Sequence, residues 1–249
     1  MSETSGFEKI IREFRITVGF LTVFRTPVAP APDMIEIGRS SWAFPVVGTM
    51  IGLILGLSYW FCSILFPPTI LSLLVVTLWV VLTGGLHLDG WTDCWDAFGA
   101  SVPTERRREI LKDSRLGAFG AIALILLILA KILTIMSIKS PVLGIFIAPV
   151  VGRSMMILAS QEAKTPDIGI GSGFLQGVDR RACVFCWIFS IITGLFAGLT
   201  GLLAVAAAYG AATWFRTFSE SKVGFVNGDV LGSMCELTEV TVLLALCLK

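Results

Sequence analysis

Thr69-Ile-Leu-Ser-Leu-Leu-Val-Val-Thr-Leu-Trp-Val-Val-Leu-Thr-Gly-Gly-Leu-His-Leu-Asp-Gly-Trp-Thr-Asp-Cys-Trp-Asp96 begins as an uncharged apolar run and ends in three carboxylates. Residues 69–88 are long enough to cross a bilayer as a helix. If the helix continues, Asp89, Asp93 and Asp96 stand at i, i+4 and i+7, within an arc of roughly 60°. Acids so placed are about 5–6 Å from neighbour to neighbour and repel one another. Such a face is kept when something positive sits on it, and Asp oxygens favour a hard divalent cation, Mg²⁺ first. A solvated helix end would also tolerate acids. Against that, Trp91 and Trp95 flank them and suit a membrane interface better than open water.

The rest of the chain reads the same way. Of 249 residues, 55% are hydrophobic and 15% charged, against about 25% charged in soluble domains. Mean hydropathy is +0.85. These values define an integral membrane protein. A net charge of +1 gives no basic footprint for nucleic acid. The first fifteen residues are polar and mixed in charge, without the basic-then-apolar order of a signal peptide. Six cysteines lie mostly in apolar runs. Cys183-Val-Phe-Cys186 has redox or zinc spacing, but no second Cys/His pair accompanies it and His87 is the only histidine. Core packing is the expected role of that pair.

The expected fold is all-α: one polytopic membrane domain, residues 1–249, with about seven transmembrane helices in 42–249 and a peripheral or re-entrant segment in 1–41. Ile16 to Phe24 is too short to span, and Pro27, Pro30 and Pro32 break the stretch after it. The spans are read at 44–65, 69–88, 117–138, 142–159, 182–199, 200–216 and 229–248. Seven spans place Lys9, Arg12, Arg15, Arg25, Arg39, Arg106 to Arg108, Lys112, Arg115, Lys164, Arg180, Arg181, Arg216 and Lys222 on one side. Only Lys139 and Lys249 fall on the other. The positive-inside rule makes the rich side cytoplasmic, in the cell (plasma or inner) membrane, with the acidic cluster facing the cytoplasm.

Two further constellations join the acids. Arg106-Arg-Arg-Glu-Ile-Leu-Lys-Asp-Ser-Arg-Leu-Gly-Ala-Phe-Gly120 places Lys112, Asp113 and Arg115 just before a span. Cations with open backbone N–H groups at a helix N-terminus bind phosphate well. Beside a divalent-metal cluster they suggest a diphosphate held between metal and Lys/Arg. Asn227-Gly-Asp229-Val-Leu-Gly-Ser-Met-Cys-Glu236-Leu-Thr-Glu239 puts three acids on one face of the last apolar helix. Acids near a bilayer centre cost roughly 2.5–3.5 kcal/mol each on insertion scales, so these should face the bundle interior. Arg153 and Lys131 are lone cations within spans; Arg153 should pair with one of the acids or a substrate phosphate, whereas Lys131 should pair or snorkel. Gln161 to Asp179, with Pro166, Asp167 and the stretch Gly169 to Gly173, reads equally as a mobile substrate loop or a plain connection.

At these residues the chain resembles the adenosylcobinamide-GDP ribazoletransferase (cobalamin synthase) family. The matching pieces are Phe20-Leu-Thr-Val-Phe-Arg-Thr-Pro27, Gly84 to Asp96, Lys112-Asp-Ser-Arg-Leu-Gly-Ala-Phe-Gly120, Gly152-Arg153 and Gly228-Asp-Val-Leu-Gly232 with Glu236. Ala97 and Asn227 depart from the family's usual Gly and Thr. The resemblance implies a Mg²⁺-dependent membrane enzyme. Its α-ribazole substrate, or the 5′-phosphate, attacks adenosylcobinamide-GDP, releasing GMP and forming adenosylcobalamin or its 5′-phosphate. Asp89, Asp93 and Asp96 would be the metal ligands. The general base would be one of them or His87. Lys112, Asp113, Arg115, Arg153, Asp229 and Glu236 would bind substrate. The partners expected are these small molecules and the lipid bilayer, not nucleic acid; a homo-oligomer stays open. Two alternatives stand beside this reading: a relative in chemistry of the CDP-alcohol phosphotransferases with another acceptor, and a cation-coupled transporter.

Overall fold

A computed structural model describes residues 6–113, 115–165 and 170–248. Pro166, Asp167 and Gly169 of the expected substrate loop, and Ser114 of the basic motif, lie outside the described residues. All regular elements among the described residues are helical. In order they are α1 (Gly6–Leu21), α2 (Met34–Arg39), a 3₁₀ turn (Ser40–Ala43), α3 (Phe44–Cys62), α4 (Pro68–Thr83), α5 (Leu86–Gly99) and α6 (Thr104–Ile110). Then come α7 (Ala118–Ser137), α8 (Pro141–Leu158), α9 (Ile170–Gly177), α10 (Arg180–Leu195), α11 (Gly198–Val223) and α12 (Gly228–Ala245).

Helices therefore stand at all seven expected spans. Four stretches are long and apolar enough to cross a membrane by themselves: Met34–Cys62, which includes α3, and α7, α8 and α11. A fifth is reached if α4 and α5 count as one bent span. The expectation of seven is trimmed for physical reasons. α10 has only 16 residues, about 24 Å at 1.5 Å per residue, and α12 carries Asp229, Glu236 and Glu239. The protein is a polytopic membrane helix bundle with several of its helices short or charged.

The largest departure from the sequence reading is at Gly84 and Gly85. Both are left-handed, with φ of 62° and 70°, a conformation that a β-carbon makes costly. The helix read as 69–88 therefore ends at Thr83, and α5 leaves at 93° to α4. The acidic motif forms a separate helix rather than the tail of a span.

Small residues bring α3 and α8 together. Gly48, Gly52 and Gly56 repeat at four-residue spacing. A Cβ on Gly48 would stand 2.6 Å from the Pro149 carbonyl oxygen, and one on Gly52 2.6 Å from that of Phe146. Lipid-exposed helices lack a strong hydrophobic force between them, so this backbone approach supplies the contact. At the N-terminus, α1 buries Ile16, Val18 and Leu21 and exposes Phe7, Ile10 and Ile11. Arg12 ties it down by donating to the carbonyls of Ala29 (2.8 Å) and Pro30 (3.0 Å) and pairing with Glu36 at 2.6 Å.

Gly52→Ala is expected to lose about 1–3 kcal/mol by overpacking. Gly56→Ala is expected to lose much less, because its added carbon meets only Val142, at ordinary contact distances of 3.4 Å to the side chain and 3.7 Å to the carbonyl oxygen. Thermal unfolding of the two detergent-solubilised variants checks the difference; equal melting temperatures would refute the close α3–α8 contact.

Candidate active site

α5 has two faces with opposite tasks. Trp91, Trp95 and Phe98 pack against Phe215 of α11, with Trp91 stacked on it at 6.1 Å between centroids and 18° between planes. The tryptophans expected at a membrane interface thus form an internal aromatic anchor. The opposite face carries Asp89, exposed, Asp93, half-buried, and Asp96, buried. Helical spacing accounts for this division, since 91, 95 and 98 fall about 180° from 89, 93 and 96.

The acids do not act as one set. Asp96 accepts from the backbone N–H of Gly117 (2.7 Å) and of Gly120 (2.8 Å), one on each carboxylate oxygen. It caps the N-terminus of α7, where a negative charge also meets the positive end of the helix dipole. Two of the amides at this helix start, those of Gly117 and Gly120, are therefore already occupied. Asp93 stands within electrostatic reach of Asp89, Asp229, Asp96 and Asp113.

Asp229 arrives from α12. Gly90 permits it: a Cβ there would stand 2.8 Å from the Asp229 Cα. Ser233 Oγ donates to the Gly90 carbonyl at 2.9 Å, pinning α12 onto α5. Asn227 caps α12 through Val230 N–H (3.1 Å) and donates its Nδ2 to Asp229 Oδ2 at 2.7 Å. No positive side chain pairs with Asp89, Asp93 or Asp229 among the described residues. No three His, Cys, Asp or Glu side chains there converge as a ready metal cage.

Two cavities meet at Asp89. The larger, about 640 Å³, is open and runs past Gly84, Gly85, Asp89, Thr92 and Asp93 to Leu116. The smaller, about 180 Å³, is lined by His87, Asp89 and Asp229 together with Phe20, Met34, Phe174 and other apolar side chains. His87 is 3% exposed, and neither ring nitrogen has a hydrogen-bond partner among the described residues.

The basic motif lies at the same end. Lys112 and Arg115 are exposed. Arg115 is engaged with Asp113, Nη2 to Oδ2 at 2.5 Å and Nε to Oδ1 at 2.9 Å. This partner holds the Asp113 carboxyl down at about 2, so the pair stays charged at any working pH.

Arg153 and Glu236, expected to touch substrate, sit deeper. Arg153 is fully buried and pairs with Glu239 at 2.7 Å. Lys131 pairs with Glu236 and Glu239, each at 2.6 Å, and lies 4.4 Å over the Trp79 ring. Glu239 joins both cations, a role that the spacing of the α12 acids hints at but does not assign. Neither Arg153 nor Glu236 lines either cavity.

A helical membrane bundle that gathers uncompensated carboxylates beside a mouth for a small molecule defines a membrane-embedded enzyme. The profile described as Cobalamin-5-phosphate synthase matches residues 13–247, and the chain belongs to that family; it is an enzyme of cobalamin biosynthesis. It is similar to proteins named adenosylcobinamide-GDP ribazoletransferase. That of Brevibacillus brevis is 35% identical over 94% of this chain and 96% of its own length. Those of Syntrophobacter fumaroxidans and Ectopseudomonas mendocina are 33% and 34% identical, over 93% and 94% of this chain and 96% and 98% of theirs. No solved structure matches.

The buried pair and the helix cap differ in what their loss costs. Glu239→Leu leaves Arg153 buried without its carboxylate and is expected to cost about 3–5 kcal/mol. Asp96→Ala removes the α7 cap and is expected to cost about 0.5–2 kcal/mol. Denaturation in detergent checks both, and an Asp96→Ala protein as stable as the parent would remove Asp96 from the capping role.

Proposed function

We propose that the chain joins adenosylcobinamide-GDP to α-ribazole or its 5′-phosphate, giving adenosylcobalamin or its 5′-phosphate and GMP. The observation that carries this reading is that Asp89 borders both cavities, with Asp93 on the open one and Asp229 on the smaller one, and that no cation among the described residues pairs with any of the three. In the reaction a ribose hydroxyl forms a new bond to the phosphorus nearer cobinamide. The phosphoanhydride bond breaks, GMP leaves with the bridging oxygen, and the hydroxyl proton passes to a base.

The donor set suits Mg²⁺, which keeps several waters and needs only one or two carboxylates plus substrate phosphates. Asp89, Asp93 and Asp229 would hold it, and when bound it would neutralise the diphosphate oxygens. Asp96 fits that task less well, because both its oxygens already serve α7. Asp89 borders both cavities, so it stands between the places for acceptor and donor. His87 borders the smaller one with free ring nitrogens and can take the proton of a hydroxyl placed there. Lys112 and Arg115 at the rim would attract the nucleotide diphosphate and steady the departing GMP. The basic segments around this mouth support a cytoplasmic orientation by the positive-inside rule.

Asp89→Asn is expected to lower GMP release by at least about 10²-fold, with insertion and folding retained. The assay is mass spectrometry of GMP and the new corrinoid from purified protein, with and without Mg²⁺. Full activity in that variant would overturn the assignment of Asp89, and activity indifferent to Mg²⁺ would overturn the metal. Gradient-driven uptake into proteoliposomes, with no GMP formed, would instead favour transport.

A further inference from the structure

The smaller cavity is built differently from the larger one. Its walls are Phe20 of α1, Met34 of α2, Met156 of α8, Phe174 of α9 and Leu231 of α12, and its polar end is His87, Asp89 and Asp229. Phe20 and Phe174 lie nearly parallel, 6.5 Å apart and 21° between planes. These walls are firmly placed. Gly38 of α2 and Gly177 of α9 let the two helix backbones touch, each with no room for a Cβ. The cavity's volume of about 180 Å³ bears on what can enter. An apolar cavity of roughly 150 Å³ accepts a benzene ring, so this one suits a single flat ring system and excludes a corrinoid. His87 strengthens the case, since a buried imidazole with both nitrogens unpartnered is costly unless a ligand or water completes it.

We propose that this cavity seats the flat heteroaromatic base of the acceptor nucleoside, with its ribose directed to Asp89 and Asp229. This rests on the transferase reading for the identity of the nucleoside. The larger cavity, sharing Phe20, Leu86 and Asp89 as a common wall, is left to the bulkier nucleotide-bearing donor. The division places a ribose hydroxyl at the boundary where Asp89 stands. Aromatic and methionine side chains recognise a flat ring without demanding one hydrogen-bond pattern, so the pocket selects for shape.

The test uses the full chain in detergent with Leu231→Phe, which fills the cavity from α12. The KM for α-ribazole is expected to rise at least about tenfold while the KM for adenosylcobinamide-GDP stays within about threefold. In equilibrium dialysis with benzimidazole alone, the unaltered protein is expected to retain the probe and the variant to lose it. An unchanged KM for α-ribazole, or both KM values rising together, overturns the proposal. Should Leu231→Phe not fold, Met156→Phe fills the same space from α8 and is read the same way. The two readings fail separately. If the unaltered protein forms no GMP, the transferase reading falls; retention of benzimidazole that the variant abolishes still supports a ring-binding cavity, and no retention overturns it.

Discussion

A charge in an apolar interior must find its opposite within the protein, and α12 is positioned by that requirement. Glu239 is fully buried and meets Arg153 of α8 and Lys131 of α7; Glu236, one turn earlier, meets Lys131 as well. Two anions and two cations cancel. Removing any one would leave a desolvated charge whose penalty exceeds what packing supplies. The quartet therefore acts as a register pin, and Trp79 beneath Lys131 brings α4 into it. With α12 fixed at its middle, its N-terminal turn is held against α5, where Gly90 gives Asp229 room to approach. Arg153 and Glu236 help to set this placement, and neither lines either cavity.

The acids near the surface obey the opposite rule. Asp89, Asp93 and Asp229 have no cation partner among the described residues, and they border two cavities where a ligand can supply the missing charge. α5 makes this arrangement durable. Its aromatic face against Phe215 opposes the repulsion on its acidic face, and Ser233 and the α7 cap hold it at two more points. Repulsion among carboxylates is offset by packing elsewhere on the same helix, so the site is electrostatically strained and mechanically rigid.

Much of this is legible in the sequence. Composition and apolar runs define the bundle, and the i, i+4, i+7 spacing places Asp89, Asp93 and Asp96 on one face as the structure has them. The failures have specific causes. A helical wheel carries no information on φ, so the span read as 69–88 runs straight through Gly84-Gly85 although these form a left-handed corner. The indole rings of Trp91 and Trp95 suit an interface and a core equally, and only the neighbourhood of Phe215 decides between them. The capping role of Asp96 stays hidden until the amides of Gly117 and Gly120, 21 and 24 residues on, are seen beside it. Arg153 and Glu239 are 86 residues apart in the chain, and no local pattern pairs them. The four-residue glycine repeat of α3 is readable, and it points to the α3–α8 contact once helix packing in lipid is considered.

The Asp96 cap has a consequence for anion binding. A helix N-terminus with free amides would draw a phosphate to α7 directly; here a carboxylate of the protein holds that position. Arg115 is already satisfied by Asp113, and the buried cations are committed to Glu236 and Glu239. A diphosphate entering the open cavity thus meets Asp89 and Asp93 on its wall and few free positive groups among the described residues, Lys112 foremost. Two like-charged partners do not associate in such a place unless a cation comes between them. The arrangement of the protein's own charges, more than the mere presence of aspartates, is therefore the reason to expect metal and diphosphate to be bound together, each making the other's binding favourable.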